Sequence, residues 1–378
     1  MQTRRRFHQL ALAGLAMPAA SFSTFAQDRR GIVLGQSAPL TGPAAQLGLQ
    51  MQLGAKAYFD TVNAAGGVHG VPVTLKTLDD GYDPARCKAN TEKLIQDDVF
   101  ALFGYVGTPT SVAALPLATA ARVPFIAPFT GAESLRDPFN KLVFHIRASY
   151  FDETELIVKQ LTQLDMKKIA VFHQNDAYGQ AGLKGVMRAL EKRGLKPTAV
   201  ATVERNSVDV SAALKTLLPS QPEAIVQIGA YKGCAAFIRE ARKAGYFGQF
   251  YNVSFVGTQA LADELGKDAA GVVISQVMPS PFGTAAGLVN DYQQALQRLD
   301  GKPEPNYTSI EGYMAARVLV DALRRAGPKP SREALVGALE SLSGYDARGY
   351  RLNFSAGKHV GSSFVELSML TADGKVRR

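Results

Sequence analysis

Three loops that follow apolar runs carry the residue types able to hold a small anion. Ser37-Ala-Pro-Leu-Thr-Gly42, Gly104-Tyr-Val-Gly-Thr-Pro-Thr-Ser111 and Pro128-Phe-Thr-Gly131 each combine hydroxyls with glycine and proline. A helix starting near Thr110 aims free N–H groups and the positive end of its dipole into such a loop. The hydroxyls of Thr108 and Thr130 beside those groups suit a carboxylate, and Gly107 permits close backbone approach to a ligand. The same residues also serve as ordinary turns and helix caps, so the pattern leaves both readings open. Catalysis has weaker support. The sequence lacks H-E-x-x-H, G-x-S-x-G and G-x-x-x-x-G-K-[ST]. His69, His145, His173 and His359 stand singly, without metal-ligand spacing. Cys87 and Cys234 each fall in a helical pattern with no histidine nearby. Asp79-Asp80 resembles an acid pair, but adjacent strand residues point to opposite faces. It reads as strand-end solvation with one carboxylate near a cleft.

The elements that must position these loops alternate. Gly31–Ser37, Val71–Leu78, Phe100–Gly104, Pro124–Ala127, Ile169–Phe172, Thr198–Val203, Ala224–Ile228, Tyr251–Val256 and Val272–Val277 read as strands. Helices lie between them near 48–65, 110–121, 151–164, 178–193, 210–218 and 232–244, and Asp83-Pro84 starts another with an N-cap and a proline in the first turn. Pro116 argues against a straight helix at 110–121. Strand–helix alternation of this length means parallel sheets covered by helices on both faces, an α/β fold. After Pro279 helices follow in succession, about 285–299, 307–326 and 331–342, before two late β-like runs, 350–354 and 363–370.

Composition narrows the class. The 378 residues suffice for two packed domains, and with 46% apolar and 20% charged residues the balance is globular. The net charge is +9, of which Arg4, Arg5 and Arg6 supply three, leaving +6 spread along the chain without a basic run for nucleic acid. Residues 1–26 have a basic start, an apolar stretch from Leu10 to Ala20 and a polar end at Ala26, the order of a cleaved secretory signal. Thr3-Arg4-Arg5-Arg6-Phe7 resembles the twin-arginine consensus. No cysteine ends the signal, so a lipid anchor has no acceptor. A periplasmic protein is expected.

Gln36-Ser-Ala-Pro-Leu-Thr-Gly42, Asn63-Ala-Ala-Gly-Gly-Val-His-Gly70, Asp79-Asp80, Asp176-Ala-Tyr-Gly179 and Gly229-Ala-Tyr231 together resemble the leucine/isoleucine/valine-binding family, in order along nearly the whole chain. These are type I periplasmic solute-binding proteins of ABC importers. The resemblance implies two Rossmann-like lobes with parallel-rich sheets, a hinged cleft and three interlobe crossings. Lobe 1 is then expected at 27–148 and 279–348, and lobe 2 at 149–278 and 349–378. It also implies a ligand site. Gly107 and Thr108 fall at one carboxylate-binding position, Thr130 or Gly131 at the second, and Tyr178 and Tyr231 match aromatic residues that cover the ligand from lobe 2. Ser254 stands where the family places an ammonium-binding glutamate, Tyr82 and Gly107 where it places a disulfide, and Leu47 replaces a tyrosine.

The missing glutamate favours a carboxylate without an α-amino group, because a buried ammonium without an acid is costly. Another acid within reach would restore amino acids as ligands. The expected function is a non-catalytic importer receptor for a small carboxylate, either an amino acid or an aromatic or aliphatic acid. Its partners are membrane permease subunits, with no metal, cofactor or nucleic acid. A sensor that presents itself to a membrane receptor and an exported α/β enzyme are the alternatives.

Overall fold

Residues 31–283 and 287–377 are described by a computed structural model; the expected signal, with Arg4 and Arg5, lies outside the described residues. The first apolar runs close into a five-stranded sheet of β1 (Ile32–Ala38), β2 (Val73–Asp79), β3 (Ala101–Phe103), β4 (Phe125–Ile126) and β5 (Val143–Phe144). Its order is β2-β1-β3-β4-β5, and every pairing is parallel. A second sheet takes β6 (Ile169–Gln174), β7 (Val200–Val203), β8 (Ala224–Ile228), β9 (Gln249–Asn252) and β10 (Val273–Gln276) in the parallel order β7-β6-β8-β9-β10. After a small hairpin of β11 (Tyr345–Asp346) and β12 (Arg351–Leu352), strand β13 (Glu366–Leu370) joins β10 antiparallel and β14 (Val376–Arg377) extends that edge. All six residues of β6 are buried, as a central strand with helices on both faces requires. The two-lobed, parallel-rich α/β expectation matches this architecture.

The helices are α1 (Ala45–Ala64), α2 (Pro84–Gln96), α3 (Thr108–Ala120), α4 (Tyr150–Gln163), α5 (Ala177–Glu191), α6 (Ser211–Leu217), α7 (Tyr231–Lys243), α8 (Thr258–Leu265), α9 (Leu288–Leu296), α10 (Tyr307–Ala326) and α11 (Arg332–Glu340). Side chains set many of their starts. Asp83 accepts from the Arg86 amide at 2.9 Å with Pro84 in the first turn, and Ser149 and Asp152 form a reciprocal capping box. Asn306 accepts from the Ser309 amide at 2.9 Å. Helix α3 continues past Pro116, whose ring removes one internal hydrogen bond.

Helices α9 and α10 pack on α1, and α11 on α10, so the late helices cover the first sheet. The α1–α10 crossing is close: a Cβ on Gly54 would lie 1.7 Å from the Ser309 carbonyl oxygen, and one on Gly312 would lie 2.2 Å from that of Met51. Only hydrogen fits at either position. This approach brings the buried stripe of α10, including Glu311, toward the loops of both sheets.

Candidate functional site

In each sheet the strand order reverses beside one strand, and crevices in such sheets open at the carboxyl ends of the strands there. The loops named from the sequence lie at those ends: Gly107 and Thr108 follow β3, Thr130 and Gly131 follow β4, Tyr178 follows β6, Tyr231 follows β8, and Ser254 follows β9. Gly107 takes φ +99° immediately before α3, which starts at Thr108 rather than Thr110. The Thr108 and Thr130 hydroxyls are 2.6 Å apart and fully buried. Thr130 Oγ1 also accepts from the Ala132 amide at 3.2 Å and lies 3.4 Å from the Tyr150 hydroxyl. A Cβ on Gly131 would stand 2.6 Å from the Tyr150 ring, so glycine admits that ring beside the pair.

Aromatic rings extend this cluster to the second sheet. Tyr150 packs on Tyr178 at 5.4 Å between centroids, and Tyr178 on Phe255 at 4.6 Å. Phe255, in the turn after β9, also meets Phe129 at 5.4 Å and Tyr82 at 5.9 Å. The Tyr178 hydroxyl is buried without a hydrogen-bond partner among the described residues, a donor inside an aromatic wall. Positions Tyr82 and Gly107, noted by resemblance as a lost disulfide, are neighbours: a Cβ on Gly107 would be 2.3 Å from the Tyr82 ring. Leu47 likewise reaches the second sheet's loops, its Cδ2 2.5 Å from where Gly257 would carry a Cβ. Tyr231 stands apart from this cluster and reaches α1, where its hydroxyl accepts from the Gln46 amide at 3.5 Å.

Ser254 sits in a charged setting that sequence reasoning missed. The expected strand 251–256 ends at Asn252 and turns, which points the Ser254 amide at Glu153 Oε2 (2.7 Å) and its hydroxyl at Glu153 Oε1 (3.0 Å). Ser275 Oγ donates to the same carboxylate at 2.6 Å. Arg147, with no exposure at all, hydrogen-bonds Ser254 Oγ, lies 3.5 Å from Glu153 and 3.4 Å from Glu311, and places its guanidinium 4.8 Å from the centroid of Phe129. Burial raises the Glu153 pKa against the pull of Arg147, Ser275 and Ser254. Burial also pushes Glu311 up to about 7, with Arg147 pulling down and Glu153 adding repulsion. The signal was present in the periodicity. Glu153 falls on the stripe Tyr150–Ile157–Leu161, Glu311 on Tyr307–Ala315–Val318, and Arg147 interrupts an apolar run. A charge at such a position is buried with its partners.

The acid pair beside the first loop is structural. Asp79 accepts from the Leu40 and Thr41 amides and the Thr41 hydroxyl, and its side chain meets Arg86. Despite some burial, these contacts hold it well below the usual carboxylate range. Asp80 accepts from Ser37 Oγ at 2.7 Å and the Tyr82 amide at 2.8 Å, while burial pushes it up to about 6. Both carboxylates shape the loop around Tyr82. Cys87 and Cys234 are free and buried, and burial raises both thiol pKa values, Cys87 to about 12, which leaves them inert as nucleophiles. Among the described residues no three His, Cys, Asp or Glu side chains converge to hold a metal ion. Nor is any described helix long and apolar enough to cross a membrane.

A sequence profile of periplasmic binding proteins matches residues 31–375. The chain belongs to the periplasmic binding protein family. Within it, the chain is 35% identical to a possible leucine/isoleucine/valine-binding protein from Rhodopirellula baltica SH 1, with a TM-score of 0.89 over 93% of this chain and 96% of that one. A substrate-binding periplasmic protein from Ralstonia solanacearum is 31% identical, with a TM-score of 0.86 over 91% and 99%. An amino acid binding protein of Pseudomonas aeruginosa is 27% identical over 309 residues, 80% of this chain and 81% of its own. The family is the type I, Leu/Ile/Val-binding branch, the solute-binding component of ABC importers. This periplasmic binding protein is therefore a receptor for a small polar or charged solute and not an enzyme.

Proposed function

We propose that this receptor holds a solute carboxylate at the Thr108–Thr130 pair, between the loops of the two sheets, and presents it to membrane permease subunits. The observation that carries the reading is that buried hydroxyl pair, 2.6 Å apart at the start of α3. Two hydroxyls that satisfy each other are ready to turn as donors to a carboxylate, a bond strengthened by the ligand's charge and by the helix terminus. Tyr178 and Phe255 supply an apolar wall from the second sheet's side, suited to an aliphatic or aromatic body. Tyr231 and Ser254 approach from the same side, Tyr231 bridging to α1 at the mouth. A ligand that touches both sides only when they close favours the closed form by its differential affinity, which a permease reads as a loaded receptor. Residues 1–26 then direct export to the periplasm by the twin-arginine route.

The test begins with mass spectrometry of whatever the purified protein releases on denaturation, followed by calorimetric titration of that compound. Thr108→Val keeps the shape and removes the hydroxyl. It should weaken binding by about ten- to a hundredfold, the weight of one charge-assisted hydrogen bond. Unchanged affinity in both Thr108→Val and Thr130→Val would remove the site.

A further inference from the structure

Arg147 is a buried cation with only part of its donor set engaged. It lies in the passage out of the first sheet, has no exposed surface and places its guanidinium over Phe129. Its Nη2 donates to Ser254 Oγ and to Glu153 Oε1. Glu153 is otherwise filled by the Ser254 amide and the Ser254 and Ser275 hydroxyls. Arg147 Nε and Nη1, by contrast, are buried and make no hydrogen bond among the described residues. Nη1 faces Glu311 Oε1 at 3.4 Å, an ion pair without the alignment of a hydrogen bond. Glu311 is 3% exposed, and charge alone couples it to its neighbours. Unanswered donors and an unanswered acceptor, buried side by side, each cost free energy. They point to a group that answers both.

The cavity beside them sets its size. Phe129, Ser254 and Glu311, all three neighbours of Arg147, line it together with Gln276, Tyr307 and Thr308. Its volume of about 10 Å³ is the room of one water-sized group. The hydroxyl pair is near in the fold. Phe129 precedes Thr130, and the Arg136 guanidinium donates to the carbonyls of both Thr130 and Arg147, at 3.4 and 3.3 Å, which holds the two segments side by side. Donor and acceptor accounting then selects the group. An ammonium only donates, and it would set a second cation beside the guanidinium. A carbonyl oxygen only accepts. A hydroxyl accepts from Arg147 and donates to Glu311 through one atom.

We infer that Arg147 and Glu311 form the specificity site for a hydroxyl on the solute, so that the receptor takes a small hydroxycarboxylate. The carboxylate lies at the Thr108–Thr130 pair and the hydroxyl between Arg147 and Glu311. The inference rests on the carboxylate reading above. Ser254 acts here as a positioning residue: its hydroxyl holds Nη2 and leaves Nε and Nη1 for the solute. A site built around a hydroxyl rejects the analogue that lacks it, because its own polar groups then stay buried and unpaired.

The experiment is calorimetric titration of the full protein with matched triads at pH 8, where Glu311, pushed up to about 7, is an acceptor. One triad is 4-methylpentanoate, its 2-hydroxy derivative and leucine; the others are butyrate, 3-hydroxybutyrate and 3-aminobutyrate, and phenylacetate, mandelate and phenylglycine. In at least one triad the hydroxy acid should bind at least about tenfold tighter than both companions. Glu311→Met removes the acceptor and leaves Arg147 paired with Glu153. Arg147→Lys keeps the charge and loses the planar donors. Each should cut the preference below about threefold, with the parent acid's affinity changing less than the hydroxy acid's. Thermal melting checks that the variants fold, and the wild-type triads decide by themselves where one does not. Failure of every hydroxy acid to bind, equal or tighter binding of the parent or amino acid in all triads, or a preference that persists in both variants overturns the inference. Thr108→Val separates the two levels. If it weakens parent and hydroxy acids alike and no hydroxyl preference exists, only the hydroxyl site falls; if it and Thr130→Val change no affinity, the carboxylate reading falls and takes this inference with it.

Discussion

Glu311 titrates near 4.5 as an unperturbed side chain and at about 7 in the folded protein, so folding itself changes proton binding. The pKa is raised, so the neutral form is the one that favours folding. Its contribution is fully present below about pH 4.5 and is lost as pH rises through about 7. The ligand-free protein should therefore be less stable at pH 8 than at pH 5, and Glu311→Gln should flatten this fall by a few kcal/mol at most. Urea unfolding at the two pH values measures it. Asp80, pushed up to about 6, contributes a fall of the same sign, which the comparison with the variant subtracts. An equal fall in wild type and variant would show that Glu311 does not carry the titration. Among single residues, legibility in the sequence followed locality. Thr108 and Gly107 were readable because helix starts and positive-φ turns are written within a few positions. Arg147, Glu153 and Glu311 were not, because their partners come from separate elements and only their place on apolar stripes betrayed them.

At the scale of elements, the crossing of α1 and α10 decides where Glu311 sits. Backbone lies 1.7 Å from the Cβ position of Gly54 and 2.2 Å from that of Gly312. An added methyl at Gly54 must push the helices apart, since carbonyl groups inside a helix cannot swing away. Gly54→Ala should destabilise by roughly 1–3 kcal/mol despite the better helix propensity of alanine. Gly337→Ala, in α11 with nothing within 4 Å, should instead stabilise by up to about 1 kcal/mol. Denaturant midpoints of the two variants should move in opposite directions, and a matching shift would refute the close crossing. Alternation and caps made most elements readable, Asp83-Pro84 to the residue. What the sequence concealed was pairing. Strand β5 has two residues, too few for periodicity, and the late helices show an apolar stripe without naming its partner, α1.

For the whole molecule, the passages between the two sheets govern any closing motion. The chain leaves the first sheet through 145–149 and returns from the second after Val277. We place the last crossing near Ser362, because Val360 still bridges His145 beside β5 and the chain enters the second sheet only at β13. Lobe 1 in this reading is 31–148 with 279–361, and lobe 2 is 149–278 with 362–377. The Tyr350 hydroxyl lies 3.0 Å from both the Ile146 and the Val277 carbonyl oxygens and is buried. One donor thus ties the outgoing and returning passages at a single point, beside the third. We propose that this point lies on the hinge axis, where atoms move least between open and closed forms. A bond on the axis persists in both forms, so its loss lowers stability equally in each and leaves their balance unchanged. Tyr350→Phe should then cost about 1–3 kcal/mol of folding stability, because two buried carbonyls lose their donor. Affinity for the released ligand should stay within about threefold. Urea unfolding and calorimetric titration of the same preparation separate the two quantities. If affinity drops in parallel with stability, the bonds form only on closure, and Tyr350 belongs to the closing surface rather than to the axis.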